Sequence, residues 1–326
     1  MATDRVLVTG ATGFVGRHVV GVLQARGYAV RALVHQSREL PPGVESVARD
    51  LARPSDLRDV VAGCAGIVHA AALLDPITDP EAAERVNRLA TLELAQAAAA
   101  TGARALVFVS TQAAIGYHPG AGLLGPDSPC APTTVYGKSK LAAERALAAA
   151  SLGALRSVIL RPPTVYGPGE RRNFLALTRA VDSGVFAVPG RGDNRMSTCW
   201  VGNLADACAW ALETKPVRGV VHVADEPVLS FRQLVETLAW ALGRSLSPLP
   251  FPLPVAQALG LVAEAAFGLA GKDPPLSRAR LRTLTADSAL DTSETRRLGF
   301  SPRVRFSDGV SRTVAWYRDE GLLRPR

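Results

Sequence analysis

Tyr136 and Lys140 stand four residues apart at the head of an alanine-rich run, in Thr133-Thr134-Val135-Tyr136-Gly137-Lys138-Ser139-Lys140. The chain has only four lysines, at 138, 140, 215 and 272, and two of them lie within four residues of this tyrosine. On a helix, a spacing of four puts both side chains on one face. A phenol with its ordinary pKa of about 10 is a poor acid–base group at neutral pH. A neighbouring ammonium favours the phenolate and lowers that pKa. The pair could then move a proton to or from an alcohol or a ketone. The same spacing also suits a solvated helix start, so the elements around it must decide.

The first of those elements is a short β-branched run, Arg5-Val6-Leu7-Val8-Thr9, cut off by Gly10. Gly10-Ala11-Thr12-Gly13-Phe14-Val15-Gly16 then opens a helix that Gly27 ends, and a second strand follows over residues 28–34. Strand, glycine turn, helix and strand make the start of a parallel βαβ unit. Glycines at 10, 13 and 16 let backbone approach a diphosphate, and the helix start offers free N–H groups and the positive dipole end. Further strands are expected over residues 44–47, 67–72, 104–109, 155–160 and 220–223. Helices are expected over residues 79–100, from Tyr136 to about residue 151, and over 171–182, 203–213 and 231–242. A C-terminal helix holds Thr313-Val314-Ala315-Trp316-Tyr317.

Bulk properties bound the function. A chain of 326 residues with 48% hydrophobic content can bury a substantial core as one large or two modest domains. Net charge is +8, but the arginines are scattered, with no basic run longer than a pair, so nucleic-acid binding is not expected. Cys64, Cys130, Cys199 and Cys208 show no metal-like spacing and read as buried thiols in a reducing compartment. The five histidines are isolated, so no metal is expected. The N-terminus runs straight into a strand without a signal-peptide pattern, which suggests a cytoplasmic protein. No apolar run is long enough to span a bilayer. The apolar stretch over residues 253–271 could line a pocket, touch a membrane surface, or simply be buried.

Thr9-Gly10-Ala11-Thr12-Gly13-Phe14-Val15-Gly16 and the later Tyr136-to-Lys140 spacing resemble the extended short-chain dehydrogenase/reductase family. That family contains nucleotide-sugar epimerases and dehydratases together with a 3β-hydroxysteroid dehydrogenase-like branch. The resemblance runs nearly the whole chain, through His69-Ala70-Ala71-Ala72, Val86-Asn87, Arg161-Pro162-Pro163-Thr164-Val165-Tyr166-Gly167-Pro168 and Leu298-Gly299-Phe300-Ser301-Pro302. It implies an α/β fold, a Rossmann-type doubly wound parallel sheet with a smaller, discontinuous C-terminal α/β substrate lobe. The nucleotide-binding domain would span residues 1–168, with 199–224 returning to it. Residues 169–198 and 225–326 would form the lobe.

The resemblance also assigns roles. Tyr136 exchanges the substrate proton, Thr111 hydrogen-bonds the same oxygen, Lys140 lowers the tyrosine pKa and binds the nicotinamide ribose, and Asn87 holds a water in the proton path. His69 reads as a hydrogen-bonded structural residue. NAD(P) is the implied cofactor, held by Gly10, Thr12, Gly13, Phe14, Val15, Gly16, His35, Arg38, Asp50, Leu51, Ala70, Ala71, Ala72, Ser110, Tyr136, Lys140, Pro163 and Val165. The second strand ends Leu33-Val34-His35-Gln36-Ser37-Arg38 without the carboxylate that binds an NAD ribose. This tilts the cofactor toward NADP(H), only slightly, because His35 stands where such relatives carry arginine. Gln112, Tyr166, Asn173, Arg195 and Met196 are the expected substrate contacts. Ile115 replaces a tyrosine usual in the family, and Met196 falls where nucleotide-sugar members carry an arginine. A secondary-alcohol dehydrogenase or ketone reductase for an apolar, steroid- or lipid-like substrate is the leading reading. The alternatives are a nucleotide-sugar epimerase or dehydratase with retained NAD, and a cofactor-binding regulator without turnover. The family further implies a homodimer through the helices that carry Asn87 and Tyr136.

Overall fold

Alternate residues of the first strand bury against different layers, and this organises the nucleotide-binding half. The computed structural model describes residues 4–35, 39–74, 79–116, 118, 122–184, 186–245, 249–268, 281 and 284–323. Strand β1 (Arg5–Thr9) leads through the glycine turn into α1 (Phe14–Ala25). Then come β2 (Ala29–Val34), β3 (Val44–Ala48), the short α2 (Arg58–Val61) and β4 (Gly66–His69). One continuous helical stretch follows, made of α3 (Pro80–Ala83), a π-helical turn (Glu84–Leu89) and α4 (Ala90–Ala100). Next are β5 (Ala105–Val109), α5 (Val135–Ala149), β6 (Arg156–Arg161) and β7 (Thr164–Tyr166).

The lobe begins with α6 (Asn173–Asp182), β8 (Ala187–Pro189), β9 (Arg195–Met196) and β10 (Thr198–Trp200). The chain returns through α7 (Val201–Glu213) and β11 (Gly219–His222). It finishes with β12 (Leu229–Ser230), α8 (Phe231–Leu242), β13 (Leu249–Phe251), α9 (Leu253–Gly268), α10 (Ser293–Arg297) and α11 (Phe306–Asp319).

The central sheet has seven strands in the order β11-β6-β5-β4-β1-β2-β3, every pair parallel. Strands of such a sheet are covered on both faces, so they are apolar throughout rather than alternating. Val6 and Val8 pack with Val19, Leu23, Leu204 and Cys208 beneath α1 and α7. Leu7 faces the other way, toward Leu94, Leu106, Ala143 and Leu147 beneath α4 and α5. The order reverses between β1 and β4, and ligands of doubly wound sheets bind at the C-terminal strand ends beside that reversal. A third core belongs to the lobe, where Tyr166, Phe174, Trp200, Phe231, Leu238, Phe306 and Tyr317 pack together.

Four sequence expectations need correction. The helix expected from residue 79 contains a π turn, centred on Asn87, that no periodicity signals. Cys130 is half-buried, unlike the three other thiols. The apolar stretch from 253 is not a uniformly buried helix: Val255, Leu259 and Leu261 are exposed, whereas Ala256 is buried. Residues 269–271 of that stretch lie outside the described residues. Tyr166, expected at the substrate, is fully buried, with its ring stacked on Phe174 at 4.8 Å and set edge-on to Trp200 and Phe306. It holds the lobe together from inside.

Candidate active site

The glycine turn joins the end of β1 to the start of α1. Gly10 has φ +68°, and a Cβ there would lie 2.8 Å from the backbone nitrogen of Ala71. Only glycine lets the first and fourth strand ends come this close. Gly13 caps α1 with no side-chain hydrogen bond, and the first helical turn holds no acid. The free N–H groups and dipole end of α1 are therefore open to an anion. Thr12, Phe14 and Val15 are half-buried around this turn, and Gly16 is buried under Gly10, where a Cβ would sit 2.0 Å from the Gly10 carbonyl oxygen. Ala70, Ala71 and Ala72 follow β4 as half-buried small residues on the opposite wall.

At the adenosine end, β2 closes on His35, whose exposed ring lies 3.4 Å from the Asp50 carboxylate. Leu51 is buried, and its carbonyl accepts from Arg85. Arg38 lies outside the described residues. These features fit a nicotinamide dinucleotide, with the uncapped start of α1 open to its diphosphate.

Thr111 and Tyr136 meet at the end of β5. Thr134 caps α5 by accepting from the Gly137 amide at 3.0 Å. A Cβ on Gly137 would lie 2.4 Å from the Ala113 carbonyl oxygen, so its absence lets α5 approach the Gln112–Ala114 turn. That approach brings the Tyr136 side chain near the Thr111 hydroxyl. Burial raises the Tyr136 pKa above its ordinary value, and the hydrogen bond from Thr111 only partly opposes it.

Lys140 is fully buried. Its Nζ donates to the Val109 carbonyl at 2.6 Å and lies 3.9 Å from the centre of the Phe108 ring. Desolvation lowers its pKa to about 7, against the raising effect of Glu144. Desolvation is the largest influence on the Tyr136 pKa. The ammonium is spent on a strand carbonyl and an aromatic face, and burial dominates the phenol. A phenol kept protonated is a proton donor.

Several partners of this pair went unrecognised in the sequence. Ser110 donates to Glu144, which also accepts from Arg161 through Nε at 3.0 Å and Nη2 at 2.5 Å. Arg161 and Glu144 are both nearly inaccessible. The only advance signal was spacing, since Glu144 follows Lys140 by four residues on the same helix face. Asn87 is also buried; its Oδ1 accepts from the Leu73 amide at 2.8 Å and its Nδ2 donates to Leu73 O and to Ser139 Oγ. It thus ties the segment after β4 to the Tyr136 helix.

The substrate side is less concentrated. Gln112 donates to the Ser288 carbonyl at 2.6 Å, so its amide fastens the lobe to the β5 end. Met196 is half-buried and Arg195 exposed on β9, with the Arg195 guanidinium alongside Gly122. Asn173 is exposed at the start of α6. Pro163 is buried and Val165 half-buried beyond β6. Ile115, Leu124 and Leu290 form a small buried cluster beside the Thr111 turn.

A family model described as the NAD dependent epimerase/dehydratase family matches residues 6–224, the stretch that carries the glycine turn, Thr111, Tyr136 and Lys140. The chain belongs to that family. It is accordingly an NAD-dependent oxidoreductase or epimerase of the extended short-chain dehydrogenase/reductase type. It is 30% identical to a ceramide reductase of Caulobacter vibrioides over 99% of this chain and 98% of the relative. It is equally 30% identical to a UDP-glucose 4-epimerase of Vibrio cholerae, over 95% of this chain and 94% of the relative. Among solved structures, MoeE5 in complex with UDP-glucuronic acid and NAD superposes with a TM-score of 0.74 at 25% identity, covering 97% of this chain and all of that one. No helix among the described residues is long and apolar enough to cross a membrane.

Proposed function

We propose that the protein reduces a ketone, or oxidises the matching secondary alcohol, on an apolar, lipid-like substrate. The observation that carries this reading is the approach of the Tyr136 phenol, whose pKa is raised, to the Thr111 hydroxyl just beyond the C-terminal end of a parallel strand. When bound, the nicotinamide dinucleotide supplies or accepts the hydride. Tyr136 donates its proton to the substrate oxygen as charge develops there, and Thr111 donates a hydrogen bond to the same oxygen. Lys140 lends positive charge behind the phenol, and Asn87 holds the β4 end against α5. A redox-inert cofactor carrier would have no use for this set.

The likeness to a ceramide reductase favours a lipid-like substrate. Nucleotide-sugar epimerisation is the second reading, favoured by the exposed Arg195 beside Gly122, where a cation could meet a diphosphate. NADP(H) is proposed over NAD(H), because His35 rather than a carboxylate follows β2. A homodimer through the outer faces of α4 and α5 is proposed as well. In support, an open groove of about 610 Å³ runs along α5, lined by Lys138, Leu141 and Arg145.

One experiment separates the main readings. The nucleotide carried by purified protein is identified, NADH and NADPH are titrated by fluorescence, and both are offered with a long-chain 3-oxo ester or with UDP-glucose. Net NADPH consumption with the oxo ester supports the proposal. Retained NAD with epimerised UDP-sugar and no net consumption overturns it in favour of the second reading.

A further inference from the structure

His69, the last residue of β4, has no accessible surface, and both of its ring nitrogens are engaged by hydroxyls. Nδ1 lies 2.6 Å from Thr9 Oγ1, and Nε2 lies 2.9 Å from Thr91 Oγ1. Neighbouring bonds fix every proton. Thr91 donates to the Asn87 carbonyl at 2.7 Å, so its oxygen must accept from the histidine, and Nε2 carries the ring proton. Nδ1 then accepts from the Thr9 hydroxyl, whose oxygen in turn accepts from the Ala71 amide at 3.1 Å. Burial, aided by the charge on Lys140, lowers the ring pKa to about 3, so this neutral tautomer persists at all working pH values.

The chain of bonds continues past Asn87. Asn87 Nδ2 donates to Ser139 Oγ at 2.9 Å, and Ser139 Oγ donates to the carbonyl oxygen of Tyr136 at 2.9 Å. Thr9 is the residue before the Gly10 turn. One set of buried hydrogen bonds therefore runs from the diphosphate turn, through His69 and the π turn, to the backbone of the reacting tyrosine. A second arm is aromatic. His69 stacks on Phe108 with centroids 5.5 Å apart, and the Lys140 ammonium lies over that same ring. Single-turn π bulges inside α-helices recur at functional sites. Here the π turn carries Asn87, whose carbonyl accepts from the Thr91 hydroxyl and whose amide reaches Ser139 on α5. A core histidine needing only satisfaction would require none of this directional continuity.

We propose that His69 is a positioning residue that makes the cofactor turn and the Tyr136 helix one hydrogen-bonded unit, so that filling the turn with a nucleotide diphosphate orders Tyr136 for proton transfer. This rests on the reading above, in which residues 10–16 hold the dinucleotide and Tyr136 moves the proton. Fully satisfied buried networks are rigid, and a break in one is felt beyond the altered pair.

The test is hydrogen exchange with saturating NADH or NADPH, whichever binds more tightly, read separately over residues 10–20 and 134–141. In the parent protein the nucleotide is expected to slow exchange in both segments. Thr91→Val removes one hydroxyl at nearly constant volume, and His69→Gln breaks the ring relay. Both should keep the slowing over 10–20 while losing roughly fivefold or more of it over 134–141, the low end of ordinary coupling between sites. Thr91→Ser, which keeps the hydroxyl, should restore it. Should His69→Gln fail to fold, the Thr91 pair decides alone, because a purely structural role predicts no difference between valine and serine at equal melting temperature. Full slowing over 134–141 in Thr91→Val, or none there in the parent while 10–20 is protected, overturns the inference. If the parent shows no slowing in either segment, the cofactor reading itself falls, and the inference falls with it.

Discussion

Thr111 lies just past a sheet strand and Tyr136 opens a helix after a long loop, yet the phenol comes within range of the Thr111 hydroxyl. The contact depends on two local decisions. Thr111 sits in extended backbone with φ −163°, where it turns its hydroxyl to accept from the Ala113 amide at 3.1 Å. Thr134 starts α5 so that Tyr136 falls in its first turn. The result is a donor pair that converges on one substrate oxygen, with the phenol held in its acidic form by burial.

Tyr136→Phe should therefore separate binding from turnover. The phenyl ring keeps the packing and removes only the hydroxyl that carries the proton. NADH or NADPH affinity, measured by fluorescence, should stay near that of the parent. Turnover should fall by about two to four orders of magnitude, the usual contribution of a positioned acid–base group. Unchanged turnover would sink the mechanism.

Gly137→Ala tests the close approach that brings the pair together. The added Cβ would meet the Ala113 carbonyl oxygen at 2.4 Å and its carbon at 3.0 Å, both backbone atoms that cannot rotate away. Overpacking of this kind costs about 1–3 kcal/mol, seen as a lowered denaturant midpoint. The helix must also back away from the β5 end. Turnover should drop further than nucleotide affinity, since the diphosphate turn lies on α1. An equal loss of both would show that the two sites are not separable in this way.

Much of this architecture could be read from residue pattern, and the remainder could not, for one physical reason. The glycine turn, the Tyr136-to-Lys140 spacing and the Thr111 strand end are local features, set by residues within a few positions of one another. The partners of Lys140, His69 and Glu144 come from strands that are neighbours only because β5 sits between β4 and β6. Strand order is not a local property. Hence Lys140 was expected to act on the phenol directly, whereas it bonds the Val109 carbonyl. Tyr166 misled for the same reason. Its motif follows a strand that points at the site, but the turn beyond β6 carries the ring into the lobe's aromatic core.

Lys140→Met should show opposite effects on activity and on stability. The folded pKa of Lys140 is about 7 and its unsatisfied reference value is 10.5. Between those values the unfolded chain binds the proton that the native protein has lost. Stability from this group therefore rises with pH from about 7 toward about 10.5, and its full cost is present below 7. Methionine removes the buried ammonium, so the variant should be at least as stable as the parent near pH 6. That advantage should shrink by about pH 9.5, as judged by urea unfolding at both values. Turnover should fall at every pH. A variant less stable near pH 6 than near pH 9.5, relative to the parent, would contradict the burial argument.

The ion pair behind the lysine makes the sharpest prediction about stability. Glu144 and Arg161 are sealed from water, with Ser110 as a third partner and the Pro126 carbonyl accepting from Arg161 at 3.1 Å. Desolvating such a pair costs about as much as its attraction returns, so the pair itself adds little net stability. Losing one member is different, because the survivor remains buried and uncompensated. Glu144→Gln should cost about 3–5 kcal/mol in urea unfolding, by leaving the guanidinium without its carboxylate. Adding Arg161→Met should restore part of that loss rather than deepen it, since the orphaned charge is then gone. Additive losses in the double variant would mean that the two side chains stabilise the fold independently. The ion pair would then not be the unit that sets the floor beneath Lys140.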